Sequence, residues 1–307
     1  MKIYVAGHSG LVGSALVREI EKTTQHSWIG RTHSDLDLLD RKAVFEYVSS
    51  EKPEAIIIAA ARVGGINANN TYPVQFLSEN LQIETNLMDA AHSAGIQRLL
   101  FLGSSCVYPK HAPQPIKEEY LLTGELEETN EAYAIAKISG LKLIRAYRKQ
   151  YGHRWVSAMP TNIYGPGDSF DLQTSHVLPA LIRKFHEAKV RGESSVSIWG
   201  TGSPLREFLH AADLASASLF LLENYDDDIA INVGTGKDIS IKDLAVLIQE
   251  IIGYKGSIGW DSSKPDGTPR KVLDVSRLAN LGWKPRITLR EGIESTYASF
   301  LDEKLEF

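Results

Sequence analysis

Cysteine is almost absent. The 307 residues hold one, Cys106, so no internal disulfide can form and a reducing, cytoplasmic compartment is expected. Long apolar runs are missing too: EAIIIAAA and RLLFLGSS fall far short of the roughly 18 residues a membrane span needs, and they read as buried strands. The opening MKIYVAG runs directly into a strand pattern, with no charged leader and cleavage site. Among nine histidines and the single cysteine there is no HxxxH or CxxC spacing, so no metal centre is expected. Neither sign of charge dominates. A net charge of −5 offers no broad attraction to nucleic acid or anionic membranes, and any anionic ligand would need locally placed arginine and lysine.

What is present is ordinary for a folded chain: 43% hydrophobic and 23% charged residues, with no low-complexity tract. The first half alternates short apolar runs with helical patterns. KIYVAG, a helix near 11–22, HSWIG, a helix near 41–50, EAIIIAAA, a helix near 74–94, RLLFLG, a helix near 130–151 and WVSAMP follow in turn. Near-continuous apolar strands separated by helices predict an α/β fold with a doubly wound parallel sheet covered on both faces. Past Pro160 the rhythm changes to Gly165-Pro166-Gly167, a helix near 175–190, the strand SVSIWG and loops rich in glycine, proline and serine. REFLHAADLASASLFLLEN predicts a strand and a helix that return toward the main sheet. The boundary is therefore discontinuous: 1–163 with about 205–230 for the Rossmann part, 164–204 and 231–307 for a smaller mixed α/β region.

Gly7, Gly10 and Gly13 in VAGHSGLVGSAL lie between the first strand and the first helix. Glycines there let the backbone turn tightly and approach a pyrophosphate at the helix N-terminus. A tight strand-to-helix turn would account for the same triplet, but its place at the first βα junction favours nucleotide binding. Where an acidic residue would bond the ribose of NAD, the sequence has Arg31 and Thr32, which predicts NADPH in preference to NADH. Asp37 and Asp40 suit a cap or the edge of an adenine pocket.

LGSSCVYP places Ser104 and Cys106 just past the fourth strand, at the sheet edge where open α/β folds bind ligands. In YAIAK, Tyr133 and Lys137 stand one helical turn apart on one face. A nearby ammonium favours phenolate, so Lys137 is expected to lower the pKa of Tyr133. Ser104 could then hydrogen-bond a substrate carbonyl while Tyr133 delivers a proton to the developing alkoxide. Singly these residues could be a cap, a packed ring and a surface lysine; together, behind a dinucleotide fold, they point to a reductase.

The glycine loop, the serine and the YxxxK pair resemble the extended short-chain dehydrogenase/reductase family over essentially the whole chain. AAARVGGINANNTYP, LFLGSSCVYPK, NEAYAIAK, MPTNIYGP, PLREFLH and SKPDGTPRK resemble its branch of GDP-4-keto-6-deoxy-D-mannose epimerase-reductases. The resemblance implies epimerisation at carbons 3 and 5, then NADPH-dependent reduction at carbon 4, in one site of a homodimer built on the helices near 74–94 and 130–151. It gives Cys106 and His176 an acid-base role, since a 4-keto group acidifies both neighbouring carbons. Read alone, Cys106 is a small buried residue and His176 a helix cap. The cofactor set implied is Gly7, His8, Ser9, Gly10, Leu11, Val12 and Gly13, with Arg31, Leu36, Ala60, Leu102, Gly103, Ser104, Ser105, Lys137, Pro160, Thr161, Asn162, Ile163 and His176. For the GDP-sugar it implies Lys184, Trp199, Arg206, Asp266 and Lys271, with cations toward the diphosphate. Trp199 also suits a core position, and Arg206 an ion pair with Glu207. Two departures stand out: Ser9 and Lys184 occupy places where the family usually has arginine. Related GDP-colitose or GDP-heptose enzymes would share the acid-base set, and a silent NADPH-binding sensor would share the fold.

Overall fold

Continuous apolar character drives the central strands inward. In the computed structural model, which describes residues 1–264 and 266–305, β1 (Lys2–Ala6), β2 (Ser27–Ile29), β3 (Ala55–Ile58), β4 (Arg98–Leu102), β5 (Arg154–Pro160) and β9 (Ile231–Val233) form one sheet. Pro265, inside the SKPDGTPRK block, lies outside the described residues, as do Glu306 and Phe307. The order is β2-β1-β3-β4-β5-β9 and every pairing is parallel.

Side chains alternate between two cores, as a strand period of two requires. Ile3, Val5, Ile57, Leu100 and Val156 face α1 (Leu11–Glu21) and α7 (Ala211–Asn224). Tyr4, Ile56, Ile58, Phe101 and Trp155 face α2 (Arg41–Glu51), α4 (Pro73–Ser93) and α5 (Glu131–Tyr151). Helices on both faces bury the sheet completely, which is why its strands read as unbroken apolar runs. Asp40 caps α2 by accepting from the Ala43 amide, as its place before the helix suggests. A short helix, α3 (Ile66–Thr71), precedes α4 and carries the GGINANN loop into it.

A third core belongs to the smaller layer. There α6 (Val177–Arg191), α8 (Ile241–Ile252) and α10 (Leu289–Leu305) pack with β7 (Ser195–Trp199) and its parallel partner β11 (Ser257–Asp261). A second sheet centres on β8 (Leu205–His210), which pairs with β6 (Asn162–Tyr164), β10 (Asp238–Ser240) and β12 (Arg270–Lys271). The short α9 (Ser276–Asn280) follows. Strand pairing draws the seam differently from the expected 205 and 231: β8 stands in the smaller sheet, and β9 closes the larger one. The helix between them, α7, covers the main sheet as its sequence suggests.

Glu207 welds the two layers. It is fully buried, and its carboxylate accepts the amides of Thr235, Gly236 and Leu273 at 2.6, 2.7 and 2.8 Å. Gly234 makes this possible, because a Cβ there would meet Glu207 Oε1 at 2.2 Å.

Candidate active site

The carboxyl ends of β1, β3, β4 and β5 share one rim, and the chain reverses direction across the sheet between β1 and β3. Such a switch point leaves a crevice for a ligand. Gly7 turns there with φ of +87°, and a Cβ on it would lie 2.8 Å from the Ala60 backbone. Gly13 lets α1 close onto the loop, since its Cβ would meet the Gly7 carbonyl at 1.9 Å. Gly10 precedes α1 without a side-chain cap, which leaves the first-turn amides of Leu11, Val12 and Gly13 to an anion. His8 stacks against Trp28, and its Nδ1 is buried with no hydrogen-bond partner. Ser9 is exposed beside it, and Leu36 is buried.

Arg31 follows β2, exposed, its guanidinium 3.6 Å from Glu51 and over the Tyr47 ring. That grip is loose enough for a phosphate to compete for it. Leu102, Gly103 and Ser105 line the exit of β4, and Pro160 and Ile163 that of β5. The side chains of Thr161 and Asn162 both donate to the Glu207 carbonyl, at 3.2 and 2.7 Å.

Ser104 accepts the Cys106 amide at 3.2 Å, and its hydroxyl is near enough to Tyr133 to favour the ionised phenol. Lys137 follows one turn along α5 and is 2% exposed. Its ammonium lies 3.1 Å from Glu84 Oε1, 4.6 Å from the Phe101 ring centre and 5.8 Å from that of Tyr133. The expectation that Lys137 lowers the Tyr133 pKa is overturned. Burial, then the charges of Cys106 and Glu84, push the phenol well above its ordinary value, against the pull of Ser104. Burial outweighs the expected help of Lys137, whose own counter-charge is Glu84, so Tyr133 stays a phenol.

Cys106 lies half-buried on the turn after Ser104. The Lys271 ammonium donates to its Sγ at 3.5 Å and Asn130 Nδ2 at 3.7 Å. His176 heads α6 without capping it through its side chain, so the role of a helix cap does not hold it. The residue keeps solvent-accessible surface although protein crowds its ring; that crowding, then the Lys271 charge, holds it below its ordinary pKa. The loop that delivers it is braced against the GGINANN segment: the Gly65 amide donates to the Thr174 carbonyl at 2.8 Å.

The five residues expected around a GDP-sugar come together along one wall. Trp199 is 61% exposed and therefore not core, with the ammonium groups of Lys184 and Lys264 at 5.8 and 5.5 Å from its ring centre. Arg206 is not paired with Glu207, whose carboxylate is taken up by backbone amides; it sits opposite Lys271 in the β8–β12 register and feels the charge of Asp266. Asp266 itself accepts from Thr201 N and Oγ1, at 2.7 and 2.8 Å.

Three residues escaped the sequence reading. Glu84 carried a signal, a carboxylate on the buried stripe Phe76, Asn80, Glu84, Met88 at helical spacing. Asn130 sits in NEAYAIAK but has no spacing that marks it. Gly65 shows its purpose only in three dimensions, where a Cβ would lie 2.7 Å from the Ser175 carbonyl.

A doubly wound sheet with a glycine cradle and a Ser104, Tyr133, Lys137 trio on its carboxyl rim defines an extended short-chain dehydrogenase/reductase. The profile of the NAD dependent epimerase/dehydratase family matches residues 3–234, and the chain belongs to that family. It is 55% identical to GDP-L-fucose synthase 1 of Arabidopsis thaliana over 98% of this chain and 93% of the relative. GDP-L-fucose synthase of Escherichia coli (strain K12) is 50% identical over 100% and 98%. The solved GDP-L-fucose synthetase from Naegleria fowleri bound to NADP has a TM-score of 0.91 at 28% identity, covering 99% of this chain and 95% of its own.

Proposed function

We propose that this chain is a GDP-L-fucose synthase: it inverts carbons 3 and 5 of GDP-4-keto-6-deoxy-D-mannose and reduces carbon 4 with NADPH. One observation carries the reading. A thiol held by Lys271 and Asn130 lies two residues from Ser104, so proton chemistry beside a ketone and reduction of that ketone share one rim. The identities of 55% and 50% to GDP-L-fucose synthases over nearly the full chain support it.

The cofactor is NADP(H). Gly7, Gly10 and Gly13 provide the room and the free amides for a pyrophosphate, and Arg31 a cation for the 2′-phosphate. When bound, the cofactor supplies the hydride for carbon 4. The chain's own residues do the rest. Ser104 hydrogen-bonds the ketone oxygen, and Tyr133, kept protonated, gives its proton as negative charge develops there. In epimerisation the C–H bond next to the carbonyl breaks and its electrons move to the enolate oxygen. Cys106 and His176 remove and return the proton on opposite faces. Lys184, Arg206 and Lys271 face the diphosphate, and Trp199 offers an open ring to the nucleotide side.

The dinucleotide half comprises 1–161 with α7 and β9, and the remaining chain, from β6 onward, forms the sugar-nucleotide half. Val74, Ile135 and Tyr151 are exposed on α4 and α5, which supports a homodimer through those helices. A free, half-buried cysteine in the site suits the cytoplasm.

The test is NADPH oxidation with GDP-4-keto-6-deoxy-D-mannose, with NMR identification of the product. The unaltered chain yields GDP-L-fucose, Tyr133→Phe loses reduction by about 10²-fold or more, and Cys106→Ser loses inversion. No NADPH oxidation by the unaltered chain would overturn the reading. Sedimentation showing only monomer at micromolar concentration would overturn the dimer.

A further inference from the structure

Glu84 is a buried carboxylate that the reaction just described does not use. It is 1% exposed, on the buried stripe of α4 between Asn80 and Met88. An ionised carboxylate in such a place costs several kcal/mol unless it is paired. Its pair is Lys137, at 3.1 Å, and beyond that contact neither carboxylate oxygen has a hydrogen-bond partner among the described residues. Space for it is kept by Gly140 on the neighbouring helix, where a Cβ would stand 2.6 Å from Glu84 Oε2 and 2.5 Å from the Phe101 ring.

We propose that Glu84 is a positioning residue of the reduction centre: it holds Lys137 in place and cancels enough of its charge for Tyr133 to keep the proton it must deliver. The proposal rests on the reading of Tyr133 as proton donor. The groups that face Tyr133 are Lys137 from its own helix, Glu84 from α4, and Ser104 and Cys106 from the turn after β4; Glu84 faces Lys137 across the helix pair. Burial raises the Glu84 pKa while the Lys137 charge and hydrogen bond oppose it. With the carboxylate removed, the Tyr133 phenolate, its ring centre 5.8 Å from the ammonium, is a group able to balance it.

The titration of Tyr133 can be followed without any substrate, as the ultraviolet tyrosinate absorbance of a protein minus that of its Tyr133→Phe counterpart. Glu84→Gln shifts this difference titration down by about one pH unit or more, a tenfold change in the ionisation equilibrium. Glu84→Asp, which keeps the charge, stays near the unaltered chain even where its melting temperature falls. Should Glu84→Gln not fold, the double variant Glu84→Gln/Lys137→Met carries the test: with neither charge present, Tyr133 titrates close to the unaltered chain. An unshifted titration in Glu84→Gln, a shift in Glu84→Asp as large as in Glu84→Gln, or a displacement of about one unit in the double variant would overturn the proposal. The alkaline limb of kcat/KM for the keto sugar nucleotide moves with the titration. If the unaltered chain fails to reduce that sugar, the functional reading falls while the absorbance test still decides Glu84.

Discussion

Lys271 Nζ stands 3.5 Å from Cys106 Sγ, across 165 residues of sequence. Two strands arrange this meeting. In the β8–β12 pair Lys271 lies beside Arg206, and the turn that carries Cys106 leaves β4 toward the same wall. The same cation also acts on His176.

Removing that cation should slow the thiol. Cys106 is the chain's single cysteine, so alkylation by iodoacetamide reports on it alone. Lys271→Met, which removes the donor 3.5 Å from Sγ, is expected to slow alkylation at neutral pH by roughly tenfold, and Lys271→Arg, which keeps a charged donor, to retain most of the rate. Equal rates in the Met variant and the unaltered chain would show that Lys271 serves the substrate only.

Gly65→Ala places a methyl against the Ser175 carbonyl, which must move. The displaced loop takes His176 with it. Deuterium incorporation at carbons 3 and 5 is expected to fall by about 10²-fold, the order produced by a 1 Å misplacement. The melting temperature should change little, because the contact is between surface loops; a large fall would point to a folding role.

Trp199→Ala removes an exposed ring that packs little. KM for the sugar nucleotide should rise about tenfold, equivalent to ~1.4 kcal/mol, with kcat and the melting temperature nearly unchanged. Steady-state kinetics at saturating NADPH would show it. An unaltered KM would detach Trp199 from the substrate.

Glu207→Ala leaves buried amides of Thr235, Gly236 and Leu273 without their acceptor. Denaturant unfolding should show a loss of about 3–5 kcal/mol. A loss below ~1 kcal/mol would mean that water or a neighbouring carbonyl replaces the carboxylate.

His153 stacks on Trp155 with rings 5° apart, and its Nε2 meets His92 Nδ1 at 2.8 Å. Burial, then the His92 charge, holds it below its ordinary pKa. The unfolded chain therefore takes a proton near pH 6.5 that the folded one refuses, so this contribution is present above that pH and lost as pH falls through and below it. The melting temperature should drop between about pH 7.5 and about pH 5.5, and less so in His153→Phe. An identical drop in both proteins would assign the acid sensitivity to other groups.

Much was legible in the chain itself because local chemistry wrote it there. The parallel sheet followed from unbroken apolar strands between amphipathic helices, and the glycine spacing marked the cradle. Tyr133 and Lys137 are neighbours by helix geometry alone, and Ser104 and Cys106 by adjacency. These features rest on contacts a few residues apart, which sequence records directly.

What only the tertiary structure decided depends on contacts between distant segments. Strand register set Lys271 beside Arg206, and that wall against Cys106. Backbone amides from 235, 236 and 273 claimed Glu207 and released Arg206 from the ion pair its neighbour suggested. Helix packing set Glu84 against Lys137, and burial, with the charges of Cys106 and Glu84 behind it, reversed the expected shift of Tyr133. A pKa is the sum of burial and of every charge nearby, so residue type and spacing name the acid while the folded surroundings decide whether it keeps its proton.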